Sequence, residues 1–332
     1  MRLLHTSDWH LGSSLRGHDR TDELFRQVER VCEIAERESV DVLLVAGDVF
    51  EFRKRVDPAH EVTKRLSQVL SPHIRRGLRV VLLPGNHDDR EHFQMMRELL
   101  ELEHGCCERV RVVVKADIFE MAGVQFAALP YPVREVLERY GEQPSGGAMG
   151  AAERNKRLSA ILAELVRDMT GLVKSDSPSV FATHINVEGV TAESGKEIGT
   201  YDQDINLALK ALPLNVSYIA LGHIHQQQQI KSHPVPCFYS GSFDRMDFGE
   251  RNEEKGVLLV DIPERGPARV TPLPLETTPF YDLHVNRAEF DALAETYAAD
   301  RERSFVRLTV ERTADDGLDS LTIGSRAKKI FP

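Results

Sequence analysis

Apolar residues follow two rhythms along this chain. In the first third, short unbroken runs of β-branched and aliphatic residues alternate with longer stretches in which apolar positions recur every three or four residues. Arg2–Thr6, Val42–Ala46 and Val80–Leu83 are runs of the first kind and predict buried strands. Between them, Asp22–Glu38 carries Leu24, Val28, Val31, Ile34 and Ala35 at helical spacing, and Pro58–Arg75 predicts a second helix. Such alternation implies an α/β architecture with a largely buried sheet. Farther along, Ser179–Thr183, Tyr218–Leu221, Cys237–Ser240, Val257–Asp261 and Ala268–Leu273 read as strands with fewer helices between them, which predicts a second sheet packed on the first. Gly141–Gly150 reads as a mobile loop. The helix after it carries Leu158, Ile161, Leu162, Leu165 and Val166 in one core-facing stripe. Prolines and threonines around Leu273–Pro279 mark a linker, so residues 1–275 form one domain and 280–332 a small second one. Within the latter, Tyr281–Val285, Arg287–Ala299 and Phe305–Glu311 read as strand, helix, strand.

Length supports that division, because 332 residues exceed the size at which one domain is expected. No run approaches the ~20 apolar residues that span a bilayer. His5 and Asp8 interrupt the stretch a signal peptide would need, so a cytoplasmic protein without membrane contact is expected. The four cysteines, Cys32, Cys106, Cys107 and Cys237, show no C-x-x-C spacing and read as buried or incidental thiols. A net charge of −10 argues against a nucleic-acid coat protein. Basic clusters nevertheless occur at Arg53-Lys54-Arg55, at Arg75, Arg76 and Arg79, and at Arg109, Arg111 and Lys115; each is either a solvated surface or a phosphate contact.

The candidate chemistry lies just beyond the strand-like runs. Asp8-Trp9-His10, Gly47-Asp48, Gly85-Asn86-His87-Asp88, His184 and Gly222-His223-Ile224-His225 place ligand-type side chains after five such runs. Residues i and i+2 at a strand end return to one face of the pleat, which predicts that Asp8 joins His10 and that His223 joins His225. A mixed set of carboxylate, amide and imidazole ligands without cysteine suits Mn²⁺, Fe²⁺ or Zn²⁺ better than Mg²⁺. Two ions about 3.5–4 Å apart would clamp a phosphoryl group and lower the pKa of a water between them. Asp8 and Asp48 offer two negative charges against four, leaving the site positive for an anionic phosphate. His87 is placed to protonate a leaving alkoxide. Asp88 either orients His87 or is a loop acid.

At these residues the chain resembles the calcineurin-like metallophosphoesterase superfamily, whose pattern is D-x-H, G-D, G-N-H-D/E, H, G-H-x-H. His5-Thr6-Ser7-Asp8-Trp9-His10-Leu11-Gly12, and Tyr239-Ser240-Gly241-Ser242 with Arg245, Asp247, Phe248, Gly249 and Glu250, resemble more narrowly its branch of SbcD nucleases. The resemblance implies a two-sheet sandwich flanked by helices, with a small C-terminal α+β domain that caps DNA and is incomplete at Pro332. It implies one ion on Asp8, His10, Asp48 and His225, and a second on Asn86, His184, His223 and the shared Asp48, with His87 catalytic. The implied activity is Mn²⁺-dependent double-strand exonuclease and single-strand endonuclease cleavage of DNA in break repair with an SbcC-type ATPase. The alternative is a phosphatase or phosphodiesterase acting on small phosphoesters or phosphoproteins. A homodimer is implied through Pro58–Arg75 and Glu91–Glu103, where Phe93, Met96, Leu99 and Leu100 form either a self-complementary face or a core stripe. Candidate DNA contacts are Arg53, Lys54, Arg55 and His18. Glu51 stands where archaeal relatives carry a further histidine, so that histidine's role is not transferred.

Overall fold

Val42–Ala46 (β4), buried along its whole length, lies inside a six-stranded sheet. Parallel strands flank it, β1 (Arg2–Thr6) on one side and β5 (Arg79–Leu83) on the other, with β6 (Val110–Val112) parallel beyond β5. Parallel pairing demands long crossovers. Helices α1 (Thr21–Arg37), α2 (Ala59–Arg75) and α3 (Arg90–Leu102) supply them in turn. On the far side of β1, β15 (Gly256–Asp261) pairs antiparallel, and β16 (Arg269–Pro274) forms the edge. Pro272 and Pro274 fit that strand because an edge can dispense with ladder donors.

This computed structural model describes residues 1–51, 59–102, 108–133, 150–174, 176–190, 205–300, 303–311 and 320–331. They divide into two units, Met1–Phe243 with Glu254–Leu275, and Asp244–Glu253 with Glu276–Pro332. The expected loop at Gly141–Gly150, apart from Gly150, lies outside the described residues, as do Cys106 and Cys107. Cys32 and Cys237 are buried free thiols.

The first unit's second six-stranded sheet joins β7 (Asp117–Met121), β8 (Val124–Leu129), β9 (Ser179–His184), β12 (Tyr218–Gly222), β13 (Gln228–Gln229) and β14 (Cys237–Tyr239) in the order β13-β14-β12-β9-β8-β7. Minor pairs are the hairpin β2 (Ser14–Leu15) and β3 (His18–Asp19), and the parallel β10 (Asn186–Val187) and β11 (Asn206–Leu207). The core fills the space between the two sheets. Leu3, Val42, Leu44, Val81 and Leu83 from one pack with Val124, Phe126, Ala128, Val180, Ala182 and Ala220 from the other. Residues of opposite parity, Ala127, Leu129, Phe181, Ile219 and Leu221, pack with Leu158, Leu162 and Val166 of α4 (Ala151–Gly171). Both faces of these strands are therefore buried, which is why they read as unbroken apolar runs. Each Val, Leu, Ile or Phe among them contributes about 1.5–3 kcal/mol by leaving water.

Two features depart from the sequence reading. The last two strands of the first unit, β15 and β16, join the first sheet, whereas their position in the chain predicts the second. The hairpin of β7 and β8 has no counterpart among the expected elements. It turns through Ala122 (φ 52) and Gly123 (φ 74), a two-residue loop with both residues left-handed, and Ala-Gly carries a weaker turn signal than Asn-Gly.

The second unit is built on β17 (Phe280–Val285) and β18 (Phe305–Val310), which pair in parallel through α5 (Arg287–Thr296), followed by α6 (Ser320–Ile330). Val285, Phe290, Leu293 and Ile330 form its core. Asn286 and Glu289 close a reciprocal capping box at the start of α5. The Asp244–Glu253 segment belongs here as well: Phe248 meets Phe280 edge-on at 5.1 Å, and the Arg245 guanidinium donates to Thr277 Oγ1, the Thr278 carbonyl and the Glu253 carbonyl. Among the described residues no helix is long and apolar enough to cross a membrane.

Candidate metal centre

Every ligand-bearing stretch lies where a strand of one sheet or the other ends. Asp8 and His10 follow β1, Asp48 follows β4, Asn86 and His87 follow β5, His184 closes β9, and His223 and His225 follow β12. These are the carboxyl ends of parallel strands, where α/β sheets build sites. The backbone then turns sharply: Asp8, His10, Asp48 and His223 have φ of 54°, 46°, 51° and 98°. Non-glycine residues rarely adopt such values, and each costs on the order of 1–3 kcal/mol that the surrounding structure must hold. A left-handed turn, and not the strand pleat, therefore brings Asp8 beside His10. The Asp8 and His10 amides donate to the Gly47 and Asp48 carbonyls at 2.9 and 3.0 Å, joining the two loops. A β-carbon on Gly47 would stand 2.1 Å from His184 Nδ1, and one on Gly85 2.1 Å from Asp48 Oδ1, so neither position admits a side chain.

Two neighbouring groups of acceptors result. In the first, His10 Nε2 lies 3.2 Å from His225 Nε2 and 3.8 Å from Asp48 Oδ2, and His225 Nε2 lies 3.7 Å from Asp8 Oδ1. In the second, Asn86 Oδ1 lies 3.1 Å from His184 Nε2 and 3.0 Å from His223 Nδ1, and His184 Nε2 lies 3.3 Å from Asp48 Oδ2. Asp48 thus belongs to both. His184 Nδ1 lies 2.8 Å from the Ala46 carbonyl; donating there leaves Nε2 as the inward lone pair.

Asp8 supplies the sharpest test of whether cations fit. It is fully buried, its Oδ2 accepts from Ser7 Oγ and the His223 amide, and among the described residues no donor meets its Oδ1. A buried carboxylate oxygen without a donor is costly unless a cation faces it. Mixed carboxylate, amide and imidazole donors, with no thiolate, match two divalent ions.

The electrostatics agree. Burial would lower the His184 pKa, but the charge and hydrogen bond of Asp48 outweigh it and raise it to about 9. Asp48 is held well below its usual range: burial opposes this, and His184, with His10 and His87, overcomes it. In the metal-free protein a proton thus sits between ligands that cations would share. Burial, then the neighbouring His184, lowers His223 to about 4.

Glu51 is a residue of this cluster that the sequence left without a role. Its side chain is 6% exposed, and Oε2 accepts from His87 Nδ1 at 3.0 Å and lies 3.6 Å from His10 Nδ1. Burial pushes its carboxyl up, but the hydrogen bonds of His10 and His87 hold it well below the ordinary glutamate range. The signal was its position three residues after Asp48. The question over Asp88 resolves toward the loop: its carboxylate accepts from the Gly85, Val49 and Phe50 amides at 2.8, 3.1 and 2.8 Å, tying the loops after β4 and β5 together. Burial, and then the charge of Asp48, raise it to about 7.

The Tyr239-Ser240-Gly241-Ser242 stretch braces the ligands from behind. Tyr239 Oη donates to the Ile185 carbonyl and accepts from the Val187 amide, both at 3.0 Å, fixing the chain just after His184. Ser240 Oγ meets Ser7 Oγ at 2.8 Å, and Ser7 in turn holds Asp8. Lys255, buried, donates to the His225 carbonyl and Ser242 Oγ at 2.9 Å each.

The nucleic-acid candidates fare differently. Arg53, Lys54 and Arg55 lie outside the described residues. His18 is exposed on the β2–β3 hairpin, opposite Leu15. In the other clusters Arg76 pairs with Glu36 at 3.2 Å, Arg111 pairs with Asp117, and Arg109 donates to the Ile74 carbonyl, so structural partners already engage them. On α3, Phe93 is buried, whereas Met95, Leu99 and Leu102 are 48, 58 and 79% exposed.

The calcineurin-like phosphoesterase family model matches residues 1–227. The SbcD component of the SbcCD nuclease from Bacillus subtilis is 28% identical over 281 residues, covering 79% of this chain and 66% of that protein. Its counterpart in Rhodobacter capsulatus is 31% identical over 296 residues, covering 82% and 69%. The counterpart in Staphylococcus epidermidis is 24% identical over 299 residues, covering 89% and 74%. The chain thus spans about two thirds to three quarters of the length of these relatives.

Proposed function

This chain belongs to the calcineurin-like phosphoesterase family, and we propose that it is a manganese-dependent DNA nuclease of the SbcD kind, cutting phosphodiesters as both double-strand exonuclease and single-strand endonuclease. The observation that carries the reading is the convergence of Asp8, His10, Asp48 and His225 on one side, and of Asn86, His184 and His223 on the other, together with a buried Asp8 Oδ1 that accepts no hydrogen bond among the described residues. These are the residues that would hold two ions, Mn²⁺ being the proposed metal. Bound there, divalent cations would polarise the phosphoryl group and acidify an attacking water.

The chain's own work falls to His87 and Glu51. The His87 side chain is 27% exposed, the Glu51 side chain beside it 6%. Glu51 accepts the Nδ1 hydrogen bond, fixes the ring and favours its charged form, so Nε2 can donate a proton to the leaving alkoxide oxygen. Because His87 donates its amide to Asp48 Oδ1 at 2.8 Å, that proton donor is fixed relative to the ligands.

In the same reading, the second unit caps DNA, with Arg53, Lys54, Arg55 and His18 as further DNA contacts. An SbcC-type ATPase is the partner in cytoplasmic break repair. A homodimer forms through α2 and α3, and exposed Met95, Leu99 and Leu102 support that contact. The test compares purified Mn²⁺-loaded protein on duplex ends and single strands with p-nitrophenyl phosphate and a phosphopeptide. Strong preference for DNA is expected. Preference for either small phosphoester would replace this reading with a phosphatase.

A further inference from the structure

Three strands end side by side at the metal centre. In the second sheet β12 pairs with β9 and β9 with β8, all parallel, with Gly222 opposite His184 and Leu129 opposite Thr183. The first strand delivers His223 and the second His184. The third, two residues past its end, delivers Tyr131. Its ring centroid stands 6.2 Å from that of His184 and 6.1 Å from that of His223, tilted 35° to the latter. Tyrosine is neither a preferred ligand of such ions nor needed to fill the core here, since the ring is only partly buried.

The backbone around Tyr131 is unusually well fixed for a loop. Pro130 and Pro132 flank it, the Tyr131 amide donates to the Pro84 carbonyl at 3.1 Å, and the Arg90 guanidinium donates to the Tyr131 carbonyl. Pro84 and Arg90 bracket the Asn86-His87 loop, so Tyr131 is tied to the stretch that carries the proposed proton donor. A phosphodiester reaching His184 and His223 brings its attached nucleoside within reach of an aromatic face held in place beforehand. Aromatic rings accept any base by stacking, without reading its edges.

Resting on the nuclease reading above, we propose that Tyr131 is a stacking platform for the nucleobase next to the scissile phosphate, making the site selective for nucleotides over other phosphodiesters without making it sequence-specific. The expected effect of losing one such stacking contact is on the order of tenfold in KM.

The test gives Mn²⁺-loaded protein two duplex substrates whose cut strands are identical except that one carries an abasic residue at the terminal scissile position. Wild-type protein should cut both, with the base-containing strand at about tenfold lower KM. Tyr131→Leu should raise KM for that strand to the abasic value, leaving the abasic KM, kcat and Mn²⁺ stoichiometry unchanged, and Tyr131→Phe should keep the wild-type difference. Equilibrium binding of dAMP against deoxyribose 5-phosphate should show the same loss without turnover. If Tyr131→Leu slows both strands equally, or loses Mn²⁺, the ring is packing and the inference is overturned. If wild-type protein cuts neither strand, the nuclease reading itself fails, and this one with it.

Discussion

Replacing Glu51 by glutamine removes one charge from a place where burial makes charge count. The carboxylate lies 3.0 Å from His87 Nδ1 and its side chain is 6% exposed, so little solvent screens the interaction. Hydrogen bonds to a charged partner are worth about 1.5–3 kcal/mol, and ~1.4 kcal/mol corresponds to one pKa unit. The depressed Glu51 carboxyl owes its shift to both His10 and His87, and the part it shares with His87 favours protonation of that imidazole. Glu51→Gln should therefore move the alkaline limb of the pH–kcat profile of DNA cleavage down by about one to two units. At pH 8 the turnover should fall by roughly ten- to a hundredfold, the usual cost of losing a carboxylate behind a functional histidine. Cleavage of a labelled oligonucleotide from pH 5.5 to 9.5 at saturating Mn²⁺, with bound metal counted in parallel, gives both quantities. An unshifted limb with two ions bound would refute the reasoning, because the carboxylate would then be acting on something other than His87.

His87→Ala should keep both ions and lose about 10²–10⁴-fold in kcat, measured by single-turnover cleavage beside metal analysis. Metal uptake should release a proton from His184, whose pKa is raised to about 9; affinity for Mn²⁺ should weaken as pH falls below 9, and titration calorimetry in buffers of different ionisation enthalpy will count that proton. The same raised pKa stabilises the metal-free fold most below pH 6.5, where His184 would be charged even unfolded, and that contribution is lost as pH rises through 9. Melting of the apo protein should therefore fall over that window. Gly47→Ala would place a methyl carbon 2.1 Å from His184 Nδ1 and should abolish Mn²⁺ binding, read by isothermal titration.

The proposed ligands were legible because chemistry and topology mark the same positions: Asp, Asn and His standing just past strands too apolar to be anything but buried. Their approach was less legible. The side-chain alternation of a strand predicts Asp8 beside His10, yet both residues are left-handed, a conformation imposed by the facing Gly47–Asp48 backbone. Glu51 and Tyr131 carry no motif of their own, and the motif that holds Asp88 leaves its role open. Their roles depend on which loops lie against one another, and only the sheet order fixes that. The same limit explains β15, whose apolar pattern suits either sheet and whose place beside β1 depends on long-range pairing.

Crystals grown with Mn²⁺ and measured at the manganese absorption edge test the central claim most directly. Two anomalous peaks are expected, one among Asp8, His10, Asp48 and His225, the other among Asn86, His184, His223 and Asp48. No peak there at saturating Mn²⁺, or peaks held by other side chains, would contradict it.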